Sequence, residues 1–77
     1  MPHNPQTPQD PRPPRSPADD PDAYTGLDAR EAERLAEQRG WQTVRSLPPG
    51  AIVTMEYVVG RLNFTVEGGR VQRCWVG

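Results

Sequence analysis

The distribution of proline is the feature that most restricts how this chain folds. Eight of the ten prolines lie within the first 24 of its 77 residues, in a segment that has almost no aliphatic side chains. Such a segment buries too little apolar area to offset the entropy that it loses on ordering. We therefore predict a disordered arm over residues 1–24, locally polyproline II, and one small folded domain over residues 25–77. The arm is typical of a spacer; a ligand for a domain that recognises proline-rich peptides is the alternative.

The size and composition of the domain exclude several functions. A domain this small leaves little room for a substrate cavity, so we expect no enzyme. Cys74 and His3 are the only cysteine and histidine, so an internal disulfide is impossible, a structural zinc lacks ligands, and no cofactor is expected. No histidine of the domain can activate Cys74 as a nucleophile. A small enzyme that uses Cys74 is therefore a disfavoured alternative function.

Charge and hydropathy limit the partners. The formal net charge is −1, which gives no field that would collect nucleic acid or anionic lipid. The chain has no apolar run of membrane-spanning length, and residues 1–24 lack the apolar centre of a signal peptide. We therefore expect a monomer without nucleic-acid or membrane partners, cytoplasmic by default, although action outside the cell stays open.

Capping signals predict one helix. Asp28 is a good N-cap residue, and Glu31 follows at the position of a capping-box partner. Gly40 suits the left-handed position after a helix. We predict a helix from about Ala29 to Arg39, and its narrow apolar stripe indicates that it lies close against a sheet; the stripe consists of Ala32, Leu35 and Ala36.

Three strands are predicted after the helix, at Trp41–Leu47, Arg61–Glu67 and Val71–Trp75. Gly68-Gly69 predicts a tight antiparallel hairpin between the last two strands. About a dozen residues separate the first two strands, which is enough for a crossover that makes those strands parallel. The predicted fold is α+β, with one helix on a small mixed three-stranded sheet and a long exposed loop.

The loop has the composition of a protease substrate. After Pro48-Pro49, residues 53–57 read Val-Thr-Met-Glu-Tyr, in which Met55 is the side chain suited to a deep apolar pocket. Loops of this length in a small domain are usually functional. A core methionine in a strand is the alternative for Met55, and polar Thr54 and Glu56 argue against it.

Four segments make the chain similar to a known family. The segments Gly26–Ala32, Leu47–Tyr57, Arg61–Phe64 and Trp75–Gly77 resemble the potato inhibitor I type of serine protease inhibitor, in particular the chymotrypsin and subtilisin inhibitors of plant seeds. The triplet Arg-Leu-Asn at 61–63 looks more like the related bacterial and fungal elastase inhibitors. The resemblance covers about residues 25–77 and implies reversible, substrate-like inhibition.

The resemblance also implies roles for single residues. Met55 would be the primary specificity residue, Met55–Glu56 the reactive bond, and Thr54 and Glu56 the flanking side chains tied to the scaffold. Arg61 would reach from the second strand to the loop, with Asn63 as a second support. The partner would be a serine endopeptidase of the chymotrypsin, subtilisin or elastase kind. The protease-binding residues are then Ile52, Val53, Thr54, Met55, Glu56 and Tyr57.

Other interpretations remain open at this point. Arg61 is alternatively a solvated charge at a strand end, and Asn63 an outward strand residue. Gly60 stands where seed inhibitors have an acidic residue, so we expect it to loosen the loop. We also expect residues 1–22 to be dispensable for inhibition. The rival function is a protein-interaction module of the same fold that does not inhibit.

Overall fold

The computed structural model describes residues 16–53 and 56–77; residues 1–15 and 54–55 lie outside the described part. Helix α1 packs on one face of a mixed three-stranded sheet, so the predicted α+β fold is confirmed. The elements in chain order are a short 3-10 helix Pro21–Tyr24, α1 Ala29–Gln38, β1 Thr43–Leu47, β2 Arg61–Glu67 and β3 Arg70–Val76.

Helix α1 lies where its capping residues predict it. The Asp28 carboxylate accepts hydrogen bonds from two main-chain N–H groups of the first turn, which satisfies donors that the helix itself leaves free. At the other end Gly40 has φ +99°. The N–H groups of Gly40 and Trp41 return to carbonyl oxygens of the last turn, as in a Schellman motif. The helix ends at Gln38, one residue before the predicted end at Arg39.

The central strand of the sheet is β2, which pairs parallel with β1 and antiparallel with β3. Parallel neighbours need a crossover connection, and residues 48–60 provide it. Gly68 and Gly69 join β2 to β3, and both have positive φ, as a two-residue hairpin turn requires. The predicted topology is therefore confirmed.

Both faces of β2 are buried, which simple alternation does not predict. On the inner face Leu62 and Phe64 are fully buried. On the outer face Arg61 and Asn63 are only 7% and 0% exposed, and the side chains of both are hydrogen-bonded there. The remaining buried core residues are Tyr24, Ala32, Ala36, Trp41 and Val71.

The segment 16–24, which lies before the predicted domain boundary at residue 25, packs on the domain. Tyr24 is fully buried, and its ring centroid lies 5.6 Å from that of Phe64. Asp20 caps the 3-10 helix by accepting a hydrogen bond from the N–H of Asp22. Composition averaged over 24 residues hides this anchoring, since one aromatic ring and a few carboxylates provide it. The rest of the predicted arm, residues 1–15, lies outside the described residues.

Asp19 is the main anchor of this segment. One carboxylate oxygen accepts hydrogen bonds from the Tyr24 hydroxyl and, at 2.9 Å, from Trp41 Nε1. The other oxygen lies 2.9 Å from the Arg39 guanidinium. Burial by itself would raise the pKa of Asp19, but the hydrogen bonds outweigh it and hold that pKa below its usual value. The anionic carboxylate thus joins the chain before α1 to the core and to the end of α1.

At neutral pH we expect Asp19→Asn to lower the free energy of unfolding by about 1–3 kcal/mol, because three side-chain donors lose a charged acceptor. The folded pKa is depressed, so this contribution is complete above the ordinary aspartate pKa of about 3.9 and is lost as the pH falls through the folded value. Urea unfolding at neutral pH and at about pH 2 should show a difference between the two proteins that shrinks in acid.

The matched control is Asp22→Asn, at an exposed carboxylate of the same segment. It should change the free energy of unfolding by no more than about 0.5 kcal/mol. An equal difference between wild type and Asp19→Asn at both pH values would contradict the anionic anchor.

Two truncations should behave differently. Removing residues 1–15 keeps every contact described for residues 16–24, so we expect the free energy of unfolding to change by no more than about 0.5 kcal/mol. Removing residues 1–22 also removes Asp19, and we expect a loss of about 2–4 kcal/mol because buried donors lose their acceptor. Urea unfolding of both proteins measures this. Equal stability of the two would mean that the Asp19 network contributes nothing.

Candidate functional site

The loop between β1 and β2 exposes apolar side chains. Among the predicted binding residues, Ile52 is 95% exposed and Tyr57 is 64% exposed. Val53 and Glu56 are exposed as well. The other two members of the predicted set, Thr54 and Met55, lie outside the described residues. Exposed apolar side chains that are adjacent in one loop are typical of a surface that binds another protein.

Two clefts lie between the described part of the loop and the sheet. A cleft of about 560 Å³ separates residues 48–53 from the outer face of the sheet. A second cleft of about 210 Å³ lies beneath Glu56 and Tyr57. Val53 and Trp75 line both clefts. The position of the loop therefore depends on a few specific contacts.

The most important contact comes from Arg61. One terminal guanidinium nitrogen donates to the main-chain oxygen of Glu56 at 3.3 Å. The same nitrogen and Nε donate to the main-chain oxygen of Gly77 at 2.6 and 3.0 Å. Because Arg61 is only 7% exposed, the alternative of a solvated strand-end charge is wrong.

The carboxylate of Glu56 contributes less to holding the loop than the main-chain oxygen of the same residue does. It lies 3.8 Å from the Arg61 guanidinium, and the Glu56 side chain is 67% exposed. An ion pair that is long and open to water is worth little. The hydrogen bond to the main-chain oxygen therefore holds Glu56, rather than the ion pair. Thr54, the other flanking side chain that the resemblance ties to the scaffold, lies outside the described residues.

Gly77 also belongs to the site, although the sequence patterns assigned it no role. Its main-chain oxygen also accepts from the N–H of Val58 at 3.2 Å, and its own N–H donates to the carbonyl of Arg61 at 2.9 Å. A Cβ atom at position 77 would lie only 2.5 Å from the Tyr57 ring. A glycine directly after a strand was the sequence signal for this role, because a residue without a Cβ atom lets a neighbouring ring come this close to the main chain.

Asn63 links the three strands and makes no described hydrogen bond to the loop. Its Oδ1 accepts from Nε of Arg45 at 2.8 Å, and its Nδ2 donates to the carbonyl of Trp75 at 3.2 Å. Since Asn63 is fully buried, it is more than an outward strand residue. Arg45 and Trp75 both line the cleft beneath Glu56, so any support that Asn63 gives to the loop is indirect.

Gly60 ends the loop in a turn that needs glycine. The N–H of Arg61 donates to the carbonyl of Val58 at 3.2 Å, and Gly60 has φ +80°, which is typical of the third position of a type II turn. The Gly60 carbonyl accepts from the N–H groups of Gln42 and Thr43 at 2.9 and 3.2 Å. Gly60 is buried. The structure thus gives no support to the expectation that this glycine loosens the loop.

The described residues contain neither an activated cysteine nor a metal-ligand cluster. Burial, together with the nearby carboxylates of Asp19, Asp22 and Asp20, raises the pKa of Cys74 to about 12, so at neutral pH it is a thiol and not a nucleophilic thiolate. No group of three or more potential ligands in the described part could hold a metal ion. Among the same residues, no helix has the length and apolar character to cross a bilayer.

Comparison with known proteins gives one result. No curated protein matches this chain. The sequence profile of the Peptidase inhibitor I78 family matches residues 24–77, beginning at the buried Tyr24 and including α1, the loop and all three strands. The prediction of a peptidase inhibitor is confirmed, whereas the profile does not single out the potato inhibitor I type. The chain belongs to the peptidase inhibitor I78 family.

Proposed function

We propose that this protein is a reversible, substrate-like inhibitor of serine proteases and that Met55–Glu56 is its reactive bond. The observation that carries the proposal is the contact between buried Arg61 and the main-chain oxygen of Glu56, beneath a loop that exposes Ile52 and Tyr57. A protease binds its substrate as an added extended strand. A loop whose main chain is already fixed loses less entropy on binding than a free peptide does.

The same contact would slow cleavage of the reactive bond. The protease serine would form an acyl-enzyme with the carbonyl carbon of Met55, and Glu56 would leave as a free amine. Because Arg61 holds the main chain of Glu56, this amine stays close to the acyl group and can attack it, which re-forms the peptide bond and releases the serine. Holding the two groups together favours this step over attack by water.

Met55 determines the proposed class of target. A flexible, unbranched apolar side chain fits hydrophobic specificity pockets of varied shape. Such pockets belong to chymotrypsin-like, subtilisin-like and some elastase-like enzymes, whereas a trypsin-like pocket has a carboxylate that requires arginine or lysine. The proposed mode of binding is that of the potato inhibitor I type, which the sequence resembles. The protein itself is proposed to have no enzymatic activity, as membership of an inhibitor family suggests.

Titration against a protease panel tests the proposal. Subtilisin, chymotrypsin and elastase should be inhibited, and trypsin, papain and thermolysin should be much less affected. Mass spectrometry after long incubation should find one cut, between Met55 and Glu56. If the three enzymes remain active at a large molar excess while the loop is digested, the proposal of a serine protease inhibitor is wrong and the non-inhibitory interaction module is favoured. Inhibition of papain or thermolysin alone would contradict the serine class.

A further inference from the structure

We propose that Ser16 is a positioning residue for the loop, supplied by the segment that precedes α1. Its hydroxyl oxygen accepts a hydrogen bond from the main-chain N–H of Gly60 at 3.0 Å. These two residues are 44 positions apart in the sequence. The inference rests on the proposed function, because the effect that we ascribe to Ser16 is control of loop cleavage.

The Gly60 N–H needs such an acceptor. Gly60 is buried, and a buried main-chain donor without a partner is costly. The carbonyl of Gly60 is already bonded to the start of β1. With Ser16 in place, both main-chain polar groups of Gly60 are bonded, and the turn is fixed from two sides.

Ser16 is itself held in place. Pro17 lies against Gly40, where a Cβ atom would be 3.6 Å from Cγ of the proline. Three residues after Ser16, Asp19 is bonded to Trp41 and Arg39. The segment that carries the Ser16 hydroxyl is therefore attached to the domain through Pro17 and Asp19 as well as through the contact with Gly60.

The hydrogen bond of Ser16 acts next to the principal loop contact. The turn that contains Gly60 closes through the N–H of Arg61. The guanidinium of Arg61 in turn holds Glu56. Loosening Gly60 should therefore displace Arg61 and release the amine side of the reactive bond.

The test compares Ser16→Ala with Ser16→Thr, which keeps the hydroxyl. Ser46→Ala is the matched control, because Ser46 is an exposed β1 residue whose hydroxyl contacts Glu33. For Ser16→Ala we expect hydrogen exchange of the Gly60 amide, measured by NMR on the free protein, to rise about 3- to 10-fold. Hydrolysis of Met55–Glu56 by subtilisin should accelerate by a similar factor, about 3- to 10-fold.

In Ser16→Thr the rate of Gly60 amide exchange and the rate of hydrolysis should both stay at their wild-type values. Ser46→Ala should change neither rate. Unchanged hydrolysis in Ser16→Ala would overturn the positioning role even if Gly60 exchange rises, and so would an equal acceleration in Ser46→Ala. Wild-type protein that inhibits no serine protease would overturn the proposed function instead. In that case Gly60 exchange still tests the contact: a rate unchanged by Ser16→Ala overturns it, and a faster rate supports it.

Discussion

Replacing Met55 by lysine is expected to lower the inhibition constant for trypsin by roughly 10³-fold or more. A trypsin-like pocket buries a carboxylate that methionine leaves unpaired, and a site built for a polar partner strongly rejects an analogue that lacks it. The same change should weaken inhibition of chymotrypsin, because an ammonium group in an apolar pocket is unpaired. Inhibition constants for the two enzymes, measured with wild type and variant, give both effects.

The control for the added charge is Gln38→Lys, at an exposed residue that ends α1. It should leave both inhibition constants nearly unchanged, since a surface charge away from the loop alters only weak, screened interactions. If Met55→Lys gives no gain against trypsin, or if Gln38→Lys gives the same gain, Met55 is not the primary specificity residue.

Replacing Arg61 by alanine is expected to accelerate hydrolysis of the Met55–Glu56 bond. The substitution removes the hydrogen bond to the main-chain oxygen of Glu56 and the two bonds to Gly77. A hydrogen bond to a charged group contributes about 1.5–3 kcal/mol, which corresponds to roughly 10- to 150-fold in rate. Mass spectrometry of a time course with subtilisin measures the rate, and urea unfolding measures the stability of the same protein.

Two further substitutions at this contact identify the acceptor. Glu56→Gln keeps the main-chain oxygen that accepts from Arg61 and loses only the exposed, 3.8 Å ion pair, so its hydrolysis rate should change by no more than about 3-fold. Arg61→Lys keeps the charge without the fork of donors and should give an intermediate rate. If Glu56→Gln is as fast as Arg61→Ala, the carboxylate is the essential partner. Cuts at many sites in Arg61→Ala would indicate unfolding instead.

The elements of this fold could be predicted where neighbouring residues determine them. Asp28 and Gly40 mark the ends of α1 because capping depends on groups within one turn. Gly68-Gly69 determines the hairpin for the same local reason. The parallel pairing of β1 with β2 followed from the length of the crossover, which is again a property of one continuous segment.

The contacts that hold the loop could be predicted only in part. The resemblance of the segment Arg61–Phe64 to a known inhibitor type pointed to Arg61, but the main acceptor of Arg61 is a main-chain oxygen, which has no sequence signature. The contacts of Asp19 with Arg39 and Trp41 and the contact of Ser16 with Gly60 join residues 20 to 44 positions apart. A polar pair at such separation produces no periodic pattern. Because proline density dominated residues 1–24, composition also concealed the buried Tyr24.

The contacts at the end of the loop permit a change of chain connectivity. Ser16 bonds to Gly60, and Gly77 bonds to Val58 two residues away, so positions 16 and 77 are neighbours in space. Two positions that lie this close can be joined by a short linker in a circularly permuted variant. A short linker from 77 to 16, with new ends opened at the exposed Gly68-Gly69 turn, would keep both contacts and make the base of the loop one continuous chain.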